Sequence, residues 1–147
     1  MDPITDDIWL GAIGAANDHE LLEKTGITYM VSLGCVPDVM PKCIKEHLKI
    51  DVEDVPSAEL TPHFKTACEF IEKALNEKQK VLVHCNMGIS RSASIVVAYF
   101  IKAKAMLMSE ARDFVKSKRN QIDPNIGFLM QLEEWDEEIN NREPEQE

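Results

Sequence analysis

From Lys80 to Lys102 the chain reads KVLVHCNMGISRSASIVVAYFIK: a short apolar run, a polar turn around one glycine, then a longer apolar run. Lys80 to His84 suits a strand covered on both faces, and Arg91 to Lys102 is long enough for a buried helix. A buried strand that passes directly into a buried helix needs a layered fold. The remaining segments alternate in the same way. Asp7 to Leu10 reads as a short opening strand, TYMVSLG as a buried strand, and His47 to Val52 as a strand with one covered face. Asn17 is expected to cap HELLEKTG, with Glu20 completing a capping box and Gly26 ending the helix. Thr61-Pro62 is read as a capping hydroxyl before a helix whose inner face carries Phe64, Ala67, Cys68, Ile71, Ala74 and Leu75. Ser109 is expected to cap a further helix, and Pro124 to open the last, which runs to about Ile139. The segment from Val36 to Lys45, broken by Pro37 and Pro41, is left unassigned. The predicted fold class is α/β: a central, mainly parallel (mixed) sheet of about five strands flanked by helices. Ligands of such sheets bind at the carboxyl ends of strands, where Cys85 falls.

With 147 residues and no internal repeat or linker, one domain is expected over 1–142, with a short acidic tail at 143–147. No apolar run approaches the roughly 20 residues that span a bilayer. Neither end shows a leader or lipid-anchor pattern, so a cytoplasmic protein is expected, with nuclear entry by diffusion open to it. The formal net charge of −10 opposes long-range attraction to nucleic acid or anionic membrane, and neither is an expected partner. Cys35, Cys43, Cys68 and Cys85 stand far apart with no C-x-x-C pair, which argues against a disulfide framework or a zinc site.

The loop CNMGISR has the composition of an anion site. Gly88 permits unusual backbone angles, successive amides can turn inward, and the following helix aims its N-terminus at the same place. A thiol there is acidified by those amides and by a nearby guanidinium. Five residues separate Cys85 from Arg91, whose planar fork can bind two oxygens of a phosphoryl group. Ser92 adds a hydroxyl able to donate to sulfur. The competing reading is a core cysteine at a strand end, which leaves the gathered glycine, arginine and serines without a reason.

The string HCNMGISRSAS resembles the signature of cysteine-dependent protein phosphatases, and of the small, atypical dual-specificity group within the protein tyrosine phosphatase superfamily. The resemblance covers nearly the whole chain. ITDDIWLGAIGAAN is similar to the group's opening strand and turn, DVPSAELTPHFKTACEFIEKAL to its acid loop and following helix, and RNQIDPNIGFLMQLEEW to its C-terminal signature. It implies that Cys85 attacks phosphorus and forms a phosphocysteine, while Arg91 and the loop Asn86, Met87, Gly88, Ile89 and Ser90 bind the phosphate oxygens. Ser92 then eases departure of the thiolate. An acid is also required. Asp54, just after the LKIDV strand, matches the family's aspartate, with Asp51 and Glu53 as competing carboxylates on the polar phase of the strand.

His84 matches a position that orients the loop, and Asn125 one that braces it; each also reads as an ordinary structural residue. Cys35, at the end of TYMVSLG, is a possible redox partner for Cys85, against the plainer reading of a small strand-end residue. No metal or cofactor is expected. The implied substrates are phosphoproteins carrying phosphotyrosine, phosphoserine or phosphothreonine, because Asn86 to Ser90 are all neutral, whereas phosphoinositide phosphatases with a similar loop carry lysines there. A catalytically weak phosphate-binding module is the alternative. A rhodanese or an arsenate reductase accounts for neither the acid loop nor the C-terminal segment.

Overall fold

A computed structural model of the chain describes residues 1–142; the expected acidic tail at 143–147 lies outside the described residues. Its centre is a five-stranded sheet of β1 (Asp2–Pro3), β2 (Ile8–Gly11), β3 (Ile27–Leu33), β4 (Glu46–Ile50) and β5 (Lys80–His84), in the order β1-β2-β5-β3-β4. Only the β1–β2 pair is antiparallel. The α/β fold with a mixed, mainly parallel sheet is therefore as the sequence predicts.

Both faces of the sheet are covered, and side-chain alternation divides them. On β3, Tyr29, Val31 and Leu33 face a large core shared with α3 (Thr61–Asn76), α4 (Arg91–Ala103), α5 (Met108–Lys118) and α6 (Ile126–Ile139), while Met30 faces a smaller one. On β5, Val81 and Val83 face the large core and Leu82 the small one, beneath α1 (Ile13–Asn17) and α2 (His19–Thr25). This double burial explains why Val81, Leu82 and Val83 are apolar in succession. Helix α4 runs through the middle of the larger layer, and every residue from Ser92 to Ile101 is buried.

The parallel register aligns the strand ends that matter. Gly11 pairs with His84, Ser32 with His84, and Leu33 with Ile50. The segments leaving β2, β5, β3 and β4 thus emerge together on one edge.

Three expected caps are corrected. Asp18, rather than Asn17, caps α2 by accepting from the Leu21 amide at 3.1 Å, because Asn17 still belongs to α1 and its side chain accepts from Asp38. Thr61 is already inside α3, and its hydroxyl donates to Gln131 Oε1 at 3.1 Å. That same oxygen takes the amides of Leu60 and Thr61, so the cap comes from α6. Ser109 is likewise inside α5, where Glu110 accepts from the Leu107 amide instead. Pro124 stands just before the last helix, and Asn125 caps it by accepting from Phe128 at 2.9 Å.

Candidate active site

Cys85 is the first residue after β5 and is buried, with 2% of its surface exposed. Its sulfur lies 3.1 Å from Ser92 Oγ, and the Gly88 amide donates to it at 3.2 Å. Burial alone would push the thiol up. The Ser92 hydroxyl and amide, with the Gly88 and Ile89 amides, more than offset that and hold it below its ordinary value. These are the first-turn and loop amides that the sequence pattern of strand, glycine loop and helix start predicts.

The loop is fixed from outside by its carbonyls. Asn86 O accepts from Ile13, Ile89 O from Asp123 (2.8 Å), and Gly88 O from Arg119 Nε (2.9 Å). Gly88 has φ +67°, and a Cβ there would fall 2.6 Å from Arg119 Nη2 and 2.7 Å from the Gly11 carbonyl. No other residue satisfies both demands.

Arg91 opens α4. Its Nη1 donates to Val52 O at 3.1 Å, and among the described residues its buried Nε has no partner. The guanidinium crosses Gly34, where a Cβ would stand 1.9 Å from Nη1. Gly34 is thus a site residue that the sequence did not single out; its signal is a glycine directly after a strand parallel to β5.

His84 is fully buried, and its tautomer follows from its partners. Nδ1 faces the Cys85 carbonyl at 3.2 Å, which can only accept. Nε2 is then the acceptor in the neutral ring and takes the Ser32 hydroxyl at 2.6 Å, while His47 Nε2 donates to Ser32 at 2.8 Å. Burial, opposed by the bond to the Cys85 carbonyl and reinforced by His47, lowers the His84 pKa to about 4, so the ring is neutral near pH 7. Its contact with the Cys85 carbonyl fixes the backbone where the loop begins.

The carboxylates come from the exposed loop between β4 and α3. Asp54 Oδ1 accepts from Asn125 Nδ2 at 2.9 Å, and the Asn125 backbone N–H donates to Ser90 Oγ, in the loop after Cys85, at 2.9 Å. Asp54 is therefore tied through one asparagine to the loop that carries Cys85. Asp51 instead pairs with Lys49 at 3.6 Å, and with Glu53 it borders a depression beside Gly34, Val52 and Arg91. Cys35 is a half-buried free thiol whose pKa burial raises, with Cys85 adding to the rise and Arg91 opposing it. The structure brings it near the site but leaves both thiols free.

The family model described as "dual specificity phosphatase, catalytic domain" matches residues 8–138. The chain belongs to the dual specificity phosphatases. It is similar to Dual specificity protein phosphatase 1B of Arabidopsis thaliana, with 34% identity over 95% of this chain and 83% of that protein. It is also similar to a probable rhodanese domain-containing dual specificity protein phosphatase of Dictyostelium discoideum, with 36% identity over 92% of the chain but only 29% of that protein. In that second case the chain spans less than a third of its relative. Among solved structures, the human tyrosine phosphatase-like serine/threonine/tyrosine-interacting protein superposes with a TM-score of 0.85 at 33% identity, over 92% of this chain and 94% of that one. No helix among the described residues is long and apolar enough to cross a membrane.

Proposed function

We propose that this domain hydrolyses phosphate esters of tyrosine, serine and threonine in proteins, through a phosphocysteine on Cys85. The observation that carries the proposal is the hydrogen-bonded sulfur. A buried thiol held below its ordinary pKa by a hydroxyl and loop amides, in a loop that runs into an arginine whose buried Nε is unpartnered among the described residues, suits attack on an anion.

In the first step the Cys85 thiolate attacks phosphorus in line, forming the S–P bond as the P–O bond to the leaving group breaks. Arg91 and the amides of residues 86–91 hold the equatorial oxygens, where transition-state charge spreads. Asp54, protonated, gives its proton to the departing oxygen. In the second step the Asp54 carboxylate takes a proton from water, and the water oxygen attacks phosphorus. The S–P bond breaks, releasing phosphate, and the Ser92 hydroxyl donates to the returning thiolate. His84 and Asn125 position the loop and the acid. The substrate preference rests on the uncharged side chains of Asn86 to Ser90, which offer no extra cation to a polyphosphorylated headgroup.

The test is hydrolysis of a generic aryl phosphate by reduced protein, compared with Cys85→Ser. Turnover that falls to background in the variant is expected. Absence of turnover in the parent protein, with phosphate binding retained, would replace the proposal with a phosphate-binding interaction module.

A further inference from the structure

Arg119 follows α5 and opens the RNQIDPNIGFLMQLEEW segment that also carries Asn125; it is 6% exposed and directed into the back of the loop that follows Cys85. Its Nε donates to Gly88 O at 2.9 Å and its Nη2 to Met87 O at 3.4 Å. The third nitrogen, Nη1, reaches Asp2 Oδ2 on β1 at 2.8 Å.

The consequence follows from peptide geometry. The carbonyl and N–H of a trans peptide point in opposite directions, and the described chain has no cis bonds. Met87 O and the Gly88 N–H belong to one peptide plane; Gly88 O and the Ile89 N–H belong to the next. Both carbonyls point to Arg119, and both N–H groups are those that stabilise the Cys85 thiolate. A single planar fork therefore sets two consecutive amides toward the sulfur. The fit depends on Gly88, since a Cβ there would collide with Nη2.

We propose that Arg119, held by Asp2, is a positioning residue that clamps the Met87–Gly88 and Gly88–Ile89 peptides with their N–H groups facing Cys85 and the substrate phosphoryl group. Arg119 touches neither substrate nor sulfur and acts through the loop backbone. Lysine is a poor substitute, because an ammonium lacks the fixed fork that spans adjacent carbonyls. The inference deepens the phosphatase reading and rests on it for the substrate, though not for the loop geometry.

The experiment measures the pH dependence of iodoacetamide alkylation at the Cys85 peptide, followed by mass spectrometry, together with kcat/KM on an aryl phosphate. The proteins are the parent chain, Arg119→Met, Arg119→Lys and Asp2→Asn. The other ionisable groups around the loop, His84 on β5, Arg91 on α4, Cys35 after β3 and Asp54 before α3, are unchanged in all four. Arg119→Met is expected to raise the alkylation midpoint by about one pH unit and to lower kcat/KM by roughly tenfold or more. Arg119→Lys should recover part of both effects, and Asp2→Asn should show the smallest shift in the same direction. A merely structural arginine would lower the melting temperature and leave the midpoint where it was. If Arg119→Met does not fold, the other two variants decide. Folded Arg119→Lys and Asp2→Asn proteins with the parent midpoint and kcat/KM would overturn the clamp. A parent protein alkylated at low pH that hydrolyses nothing would overturn the phosphatase reading, and the variant midpoints would still judge the clamp.

Discussion

The loops that follow β5 and β4 carry Cys85 and Asp54, the proposed nucleophile and acid, and they are held in opposite ways. Residues 85–90 sit in the interior end of the sheet, with Cys85, Gly88 and Ser90 buried and carbonyls fixed by Ile13, Arg119 and Asp123. The loop before α3 is exposed from Glu53 to Ser57 and takes its position almost wholly from α6. Asn125 bonds Asp54, Gly127 admits the Pro56 carbonyl where a Cβ would stand 1.9 Å away, and Gln131 bonds Ala58, Leu60 and Thr61. The difference suits the chemistry. A thiolate must be stabilised before substrate arrives, whereas an acid is needed only once a leaving group stands within its reach.

The comparison can be broken from the acid side first. Asp54→Asn is expected to lower kcat by about 100-fold for poor leaving groups such as alkyl phosphates, and far less for an activated aryl phosphate. A leaving-group series measures this, and equal losses across the series would move the acid role to another carboxylate. A smaller effect is expected from Gly127→Ala, in which alanine gains about 1 kcal/mol of helix propensity while its methyl displaces Pro56. Turnover of poor leaving groups should fall several-fold, and Cys85 alkylation should be unaffected. A change in alkylation instead would show that the two loops are mechanically coupled.

Much of this was legible in the sequence, for physical reasons that differ by region. The layered fold was readable because residues 81–83 of β5 and 95–101 of α4 are apolar runs too different in length to be confused. Cys85, Gly88, Arg91 and Ser92 were readable because strand, nest and helix start are contiguous, so one stretch of chain carries the geometry. Arg119, Asp2, Gly34 and Gln131 were not. Each acts across a tertiary contact: Arg119 and Gln131 fall within the RNQIDPNIGFLMQLEEW segment, but the loop and helix they bond are far away in the chain. The misplaced caps have the same origin. Thr61 has the right chemistry at the wrong turn, because the oxygen that caps α3 arrives from Gln131 in a helix far along the chain. Asp54 stood between these cases: its position after β4 was readable, but its bond to Asn125, which separates it from Asp51 and Glu53, was not.

The central claim is that the sulfur of Cys85 takes the phosphoryl group. Its most direct test is to mix Asp54→Asn with an activated aryl phosphate, quench in acid within the first turnover and map the modified peptide by mass spectrometry. One phosphoryl group on Cys85, absent from the Cys85→Ser protein, is the predicted result. Turnover with no phosphoryl adduct on Cys85, or with the adduct on another residue, would contradict it.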